Sequence, residues 1–218
     1  RIQTAILPPQ RLVDQTFKDS FVLFKPKDIV SGDFYWMEVV DDAIYFAAVD
    51  CTGHGVPGAM VSVVGHNGLN RCVKEFGITS PAQVLNKTRE LVIEALAVSG
   101  QVVLDGMDIS LCAFDTKTRT LKYAGANNPL WVVSGPNEED LKEYRGDKQP
   151  VGLYDRMTDF SEVEVPVQLN DRVFLFSDGF QDQFGGENGK KLKAKNMKRL
   201  ILNSAQLGME EQKKVLEI

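Results

Sequence analysis

Segments with the apolar pattern of β-strands occur in two groups along this sequence, and a long helical stretch separates the groups. Further helical segments follow the second group. The predicted strands cover residues 21–25, 34–40, 43–50, 109–114, 120–124, 130–133, 160–165 and 172–176. Strands and helices that occur in groups favour an α+β fold with antiparallel sheets, because a doubly wound parallel sheet would alternate strand and helix along the chain.

The helical segments carry recognisable start signals. Pro57 stands in the first turn of a helix that continues to Gly77, and Ser80-Pro81 begins a second helix that is rich in apolar positions. Two more helices are predicted at 191–202 and 209–218. Residues 1–7 resemble the end of a helix that Pro8-Pro9 stops. We therefore expect residues 1–8 to be the end of a linker helix and residues 9–218 to form one domain.

One predicted strand leads directly into a carboxylate and then into a glycine-rich turn. The sequence Val49-Asp-Cys-Thr-Gly-His-Gly-Val-Pro-Gly58 places Asp50 at the end of the strand and three glycines in the turn. Glycine lets a backbone bend sharply and approach an ion or a phosphate closely. Two more acidic turns, at Asp33 and Asp178, also border strands, so three carboxylates can converge at one end of the sheets. Hard oxygen ligands without a cluster of His or Cys favour Mg²⁺ or Mn²⁺ over Zn²⁺.

The charge and the cysteine content exclude several classes of function. The 30 acidic and 25 basic residues give a net charge of -5, and no basic run could follow a phosphate backbone, so nucleic acid is not expected as a ligand. Cys51, Cys72 and Cys112 are odd in number and widely spaced, which favours buried thiols in a reducing compartment, the cytoplasm. No apolar stretch approaches the ~18 residues of a membrane span. We expect the partner to be another protein.

Five motifs, taken together and in order, resemble a known family. They are Gln3-x-x-Ile-Leu-Pro8, Ser31-Gly-Asp-Phe-Tyr35, Val49-Asp-Cys-Thr-Gly-His-Gly-Val-Pro-Gly-Ala-Met60, Tyr123-Ala-Gly-Ala-Asn-Asn-Pro-Leu130 and Phe176-Ser-Asp-Gly179. The family is the stage II sporulation protein E-like branch of the bacterial PPM (type 2C) metal-dependent protein phosphatases, and the resemblance covers nearly the whole chain. It implies an α-β-β-α sandwich, in which helix pairs flank two antiparallel sheets and a two-metal centre lies at one edge.

The resemblance also implies roles for individual residues. Asp50 would bridge two metal ions, and Cys51 would contribute its backbone carbonyl to one of them. Asp33 would hold the second ion directly or through water, and Asp178 would be the carboxylate from the later sheet. Two divalent ions about 3.5 to 4 Å apart acidify a shared water and neutralise the charge of a phosphate under in-line attack. The family's last Asp-Asp pair opens a strand after the closing helices, and we expect that strand beyond residue 218.

The activity implied by the resemblance is Mn²⁺- or Mg²⁺-dependent hydrolysis of phosphoserine and phosphothreonine in a signalling protein. The implied substrate is a STAS-type anti-sigma-factor antagonist, whose dephosphorylation releases a sigma factor by partner switching. Residues 1–7 would connect an N-terminal sensor domain, and rotation or homodimerisation of this linker helix would regulate the metal site. Two alternatives are a pseudophosphatase that binds the phosphorylated partner without turnover, and a metal-dependent phosphoesterase that acts on small molecules.

Several other charged residues keep two interpretations each. Asp108 is either a metal ligand or a strand residue that faces solvent or hydrogen bonds to a ligand. His54 is either a general acid or a turn or capping residue. Either Lys25 or Lys27 could receive the substrate phosphate, although lysines beside strands are commonly solvated. The basic residues within 190–199 are interpreted as a solvated helix face, with the docking of an acidic partner as the alternative.

Overall fold

The computed structural model of this protein describes residues 6–26, 28–97, 104–185 and 189–217. In these residues two antiparallel sheets lie between two pairs of helices. The strands are β1 Phe34–Val40, β2 Ala43–Cys51, β3 Gly106–Asp115, β4 Thr120–Ala126, β5 Leu130–Val133, β6 Leu141–Tyr144, β7 Val151–Gly152, β8 Val163–Val165, β9 Arg172–Leu175, β10 Phe184–Gly185 and β11 Lys190–Lys191. The α-helices are α1 Gln10–Thr16, α2 Gly55–Asn70, α3 Pro81–Leu96, α4 Lys193–Asn203 and α5 Met209–Leu216.

The two sheets are formed by strands that are mostly neighbours in the sequence. The first sheet has the order β1-β2-β3-β4-β8, and β7 pairs with one end of β3. The second sheet has the order β6-β5-β9, and β10 and β11 form a separate hairpin. The named strands pair antiparallel throughout the described residues. This arrangement confirms the α+β fold with antiparallel sheets that the sequence predicts.

Strand β5 shows how the layers are held together. Leu130 and Val132 pack with the inner face of the first sheet, whereas Trp131 and Val133 pack with residues of α4 and α5. This follows from the alternation of side chains along a strand, and all four are buried because both faces of the sheet are covered. A third apolar cluster joins α2 and α3 to the outer face of the first sheet. The four layers are therefore helices, sheet, sheet and helices.

One sequence prediction near the N-terminus is wrong. Residues 21–25 form no strand in the structure, although Phe21 and Leu23 pack against the cluster of the second sheet and its helices. Their apolar alternation is satisfied by side-chain packing alone, without a partner strand. Pro9 is the N-cap residue of α1, with φ −58°, and the sequence analysis did not predict this helix. A proline has no N–H donor to lose at a helix start, so it suits this position.

Two further predictions concern the edges of the domain. The predicted strand at 160–165 is shorter in the structure, where only Val163–Val165 pairs, with β4. The predicted linker helix falls mostly on residues 1–5, outside the described residues, and residues 6–7 form a turn and a bend. Among the described helices, none combines the length and the apolar character that crossing a bilayer requires.

Candidate active site

Three aspartates from distant parts of the chain meet at one end of the two sheets. Asp50 is the second-to-last residue of β2, Asp33 immediately precedes β1, and Asp178 follows β9. Phe34 pairs with Val49, so the antiparallel register places Asp33 beside Asp50. The Ser177 hydroxyl donates a 2.6 Å hydrogen bond to the Asp33 carboxylate, which attaches the Asp178 loop of the second sheet to the first sheet. The structure thus brings together the three acidic turns that the sequence singled out.

The electrostatics of this cluster are unfavourable without a cation. Burial, followed by the charges of Asp33 and Asp178, raises the pKa of Asp50 from 3.8 to about 8, and both neighbours also hydrogen bond to it. Among the described residues, none of the three aspartates forms an ion pair with Lys, Arg or His. Crowded carboxylates that lack a protein cation are suited to a hard metal ion.

Glycines allow the backbone segments around the turn after Asp50 to pack closer together than any side chain would permit. A Cβ on Gly32 would lie 2.8 Å from the backbone oxygens of both Cys51 and Gly53. A Cβ on Gly58 would overlap the carbonyl oxygen of Gly53, and Gly53 itself has φ +86°. This packing fixes the Cys51 carbonyl beside the cluster. Burial, and then the charge of Asp50, raises the pKa of the Cys51 thiol, so the thiol is inert and the carbonyl is the group available to a ligand.

Asp108 lies next to the cluster but has its own hydrogen-bond partner. It stands opposite Asp50 in the β2–β3 ladder, and its carboxylate accepts a 2.8 Å hydrogen bond from the Asn127 amide. Burial raises the pKa of Asp108, the Asn127 hydrogen bond lowers it, and the charge of Asp178 raises it. Sequence reasoning missed Asn127 as a site residue, although it lies within the quoted motif from Tyr123. Asn127 has a φ of +57°, a left-handed backbone conformation in which asparagine is more common than most other residues. The residue type is the one local feature of the sequence that agrees with this position.

The aspartates are near one another but are not arranged as a finished ligand shell. Within the described residues, no group of three or more His, Cys, Asp or Glu side chains is arranged to hold a metal ion as it stands. The donor set nevertheless fits Mg²⁺ or Mn²⁺, because it consists of carboxylate oxygens and a backbone carbonyl with excess negative charge. Two other aspartates, Asp182 and Asp171, have partners outside this cluster. Asp182 forms an ion pair with Lys191 at 2.6 Å, and the Asp171 carboxylate accepts a 2.8 Å hydrogen bond from the backbone N–H of Gln168.

The other sequence candidates do not contact the three aspartates in the described structure. His54 occupies the N-cap of α2 without a side-chain capping bond, and its fully exposed ring lies 4.0 Å from Asp28. Lys25 pairs with Glu217 at 3.9 Å. Lys27 lies outside the described residues. Neither His54 nor Lys25 therefore has a contact here that favours a catalytic role over a structural one.

The basic residues around the start of α4 divide into two groups. Lys191 and Lys198 are paired with Asp182 and Glu143. The second group forms no ion pair among the described residues and consists of Lys190, Lys193, Lys195 and Arg199. The backbone N–H of Lys193 donates to the Gln181 carbonyl at 2.7 Å, so this second group begins close to the Asp178 loop.

Comparison with known proteins agrees with this geometry. Residues 41–216 match the family model described as Stage II sporulation protein E (SpoIIE). The SiaA-PP2C domain of Pseudomonas aeruginosa is 31% identical, with a TM-score of 0.86 over 99% of this chain and 83% of that chain. The RsbU and RsbW domains of Rv1364c from Mycobacterium tuberculosis are 15% identical, with a TM-score of 0.69 over 88% of this chain and 51% of that chain. The PP2C phosphatase domain of SpoIIE from Bacillus subtilis, solved with a fragment of its regulatory domain, is 19% identical, with a TM-score of 0.67 over 87% of this chain and 53% of that chain. No curated protein sequence matches this chain.

Proposed function

Because this chain belongs to the stage II sporulation protein E (SpoIIE) family of PP2C-type (PPM) phosphatase domains, we propose that it is a metal-dependent protein serine/threonine phosphatase. The observation that carries the proposal is the crowding of Asp33, Asp50 and Asp178 without a neutralising protein cation. Three carboxylates that repel one another destabilise the folded protein unless they bind a cation, so their proximity indicates a cation-binding function. This argues against a pseudophosphatase that has lost its metal site.

The chain's own residues account for most of the arrangement that hydrolysis needs. Asp33, Asp50, Asp178 and the Cys51 carbonyl would hold Mn²⁺ or Mg²⁺. When bound, these ions supply an acidified water and neutralise phosphate charge. Ser177 orients the Asp33 carboxylate through its 2.6 Å hydrogen bond. Gly32 keeps the Cys51 carbonyl at the cluster, because any side chain at that position would push it away.

A covalent route through cysteine has no support in this structure. Cys51, Cys72 and Cys112 are free and buried. Burial raises the pKa of all three thiols. A catalytic thiolate needs the opposite environment, which is partly exposed and electropositive. The proposed reaction is therefore direct attack of water on the phosphate monoester, without a phosphoenzyme.

The proposal extends to the cellular partner. A STAS-type anti-sigma-factor antagonist is the proposed substrate, and its dephosphorylation would release a sigma factor by partner switching in the cytoplasm. The likeness to a protein with RsbU and RsbW domains and to SpoIIE with its regulatory domain supports this setting. An N-terminal sensor domain, joined through a linker helix that can homodimerise, belongs to the same proposal.

The test is Mn²⁺-dependent hydrolysis of p-nitrophenyl phosphate and of a phosphoserine protein, with an Asp50→Asn variant as the control. We expect turnover of both substrates, a much higher kcat/KM for the protein, and loss of both activities in the variant. A preference for the aryl phosphate would instead indicate a phosphoesterase that acts on small molecules. Metal binding without turnover of either substrate would contradict the proposal and favour a binding module.

A further inference from the structure

Three exposed apolar side chains lie in the two segments that adjoin the turns of Asp33 and Asp50. They are Ile29, Val56 and Met60, whose exposures are 99%, 68% and 63%, and we call them the apolar rim. We propose that the apolar rim is the docking site for apolar side chains that flank the phosphoserine of a protein substrate. This inference rests on the phosphatase function proposed above and adds a chemical class of sequence that the enzyme selects.

Short backbone connections place the apolar rim beside the centre. Val56 and Met60 stand four residues apart in the first turns of α2, so they share one helix face. Helix α2 begins only four residues after Cys51, the residue whose carbonyl adjoins the aspartates. Ile29 follows Asp28, whose carboxylate lies 4.0 Å from the His54 ring at the start of the same helix. Helix α2 also packs against the segment that carries Asp33, because a Cβ on Gly58 would lie 3.1 Å from the Cα of Gly32. The backbone that carries the rim is thus attached to the backbone that carries the aspartates.

Because a phosphoserine is short, we expect the substrate residues that flank it to cover the apolar rim during the reaction. The phosphoserine side chain is short, so the substrate backbone has to lie against the enzyme next to the metal ligands. In an extended segment, the residues two and three positions from the phosphoserine lie about 7 to 10 Å along the chain. Side chains at those positions reach the first turns of α2. Apolar side chains there would remove the rim from water, whereas polar side chains would leave it partly exposed or unfavourably desolvated.

The extent of the rim favours a substrate over a second copy of this chain. A stable interface buries roughly 800 Å² on each partner, and three side chains offer much less than that. A brief substrate contact needs no such area. Positive charge near the Asp178 loop also fits a substrate. Lys190, Lys193 and Lys195 form no ion pair among the described residues, and the backbone N–H of Lys193 donates to the Gln181 carbonyl. The expected occupant is a phosphoserine segment with apolar and acidic residues.

Two synthetic phosphoserine peptides test the inference. Both carry the same acidic residues, but one has Leu and the other Asn at the second and third positions on each side of the phosphoserine. We expect the wild-type kcat/KM to be about tenfold higher for the Leu peptide, mainly through KM. The triple variant Ile29→Thr, Val56→Thr, Met60→Gln replaces the three apolar side chains by polar ones of equal or slightly smaller size and should bring the ratio near one. Each peptide value is divided by the same enzyme's turnover of p-nitrophenyl phosphate.

The control substitution is Leu169→Gln. Leu169 is 92% exposed and precedes β9, whereas Asp178 follows that strand, so this variant removes an equally exposed apolar side chain at the other end of the strand. It should retain the wild-type preference between the two peptides. Equal loss of preference in the control and in the triple variant would overturn the proposal.

Binding provides a readout that is independent of turnover. The Kd values of non-hydrolysable phosphonate versions of both peptides are measured by fluorescence anisotropy. Tighter binding of the Leu version by the wild type, reduced in the triple variant, supports the docking site even if no phosphate ester is hydrolysed, in which case only the phosphatase proposal fails. Equal Kd values, or a preference that persists in the triple variant, overturn the docking site. A wild-type dimer that the triple variant dissociates would assign the surface to a second copy of the chain and would also overturn it.

Discussion

Two clusters of polar groups in this protein have opposite electrostatic arrangements: one is buried, and the other is only partly buried. The first surrounds Arg89 in α3, whose guanidinium donates to Gln149 at 3.2 Å, to the Thr158 carbonyl at 2.7 Å and to Asn86 at 3.2 Å. The same guanidinium lies 4.9 Å from the centre of the Phe160 ring. Each polar group of this cluster has a complementary partner within the chain, so the cluster is complete without any ligand.

The second cluster is the group of aspartates, and it is incomplete by the same criterion. Its members Asp33, Asp50 and Asp178 carry charges of one sign, and burial together with the neighbouring charges raises the pKa of Asp50 to about 8. The comparison shows that burial of polar groups alone does not mark a functional site in this fold. What distinguishes the site is the absence of a complementary charge among its described neighbours.

The largest expected effect is on catalysis and comes from Asp50. Asp50→Asn keeps the shape of the side chain but removes the charge that would be shared between metal ions. We expect kcat/KM for p-nitrophenyl phosphate to fall about a thousandfold or more, because the ions contribute several kcal/mol to phosphate hydrolysis. Steady-state kinetics with Mn²⁺ measure it. Retention of activity in the variant would remove the distinction between the two clusters.

The next effect is on stability and comes from the cluster that is already complete. Arg89→Ala should lower the free energy of unfolding by about 3 kcal/mol, because it removes three hydrogen bonds of a buried guanidinium and its contact with the Phe160 ring, although each acceptor keeps one other donor within the chain. Urea denaturation measures this difference. Lys87→Ala, an exposed change in the same helix, is the matched control and should leave the midpoint nearly unchanged. Similar effects of the two changes would show that the Arg89 cluster does not stabilise the fold.

Metal addition should affect the aspartate cluster and leave the Arg89 cluster as it is. At a Mn²⁺ concentration of a hundred times Kd, the native state gains about 2.7 kcal/mol, which corresponds to a rise in Tm of several degrees for a domain of this size. Differential scanning fluorimetry with Mn²⁺, and then with excess EDTA, measures the shift. The Arg89→Ala variant should show the same rise, and the Asp50→Asn variant a much smaller one. An equal rise in Asp50→Asn would place the metal elsewhere.

A further effect is the pH dependence of the metal-free protein. The native state keeps the proton of Asp50 up to about pH 8, whereas the unfolded chain releases it near 3.8. The native state therefore binds more protons between these values, and the contribution of Asp50 to the free energy of unfolding falls as the pH rises from about 4 to about 8. Asp50→Asn should reduce this fall when urea midpoints are compared across the range. Identical slopes in the two proteins would mean that the carboxylates do not interact.

Local signals in the sequence predicted many elements well. The predicted strands 34–40 and 130–133 have the same bounds in β1 and β5. Ser80-Pro81 starts α3 as expected, and the Ser80 hydroxyl accepts a 3.2 Å hydrogen bond from the backbone N–H of Gln83. The short strands β6, β7, β10 and β11 were not predicted, because segments of two to four residues become strands only through partners that are distant in sequence.

The site was predicted in part, for a related reason. Asp33, Asp50 and Asp178 were found because each follows or precedes a strand at a turn with glycine, which is a local pattern. Asn127 was not found, since its contact with Asp108 exists only after β3 and β4 pair. The Arg89 cluster was not found either, because Gln149 and Thr158 come from a segment about 60 to 70 residues further along the chain.

The hydrogen bond between Ser177 and Asp33 joins residues that are 144 positions apart. A protein made on the ribosome emerges from its N-terminus, so Asp33 and Asp50 are available long before the Asp178 loop. Their two strands can pair early, but the third carboxylate arrives only when the second sheet is being completed. Synthesis of the residues between Asp50 and Asp178 therefore proceeds with an unfinished centre. The proposed phosphatase activity would begin only after both sheets have docked.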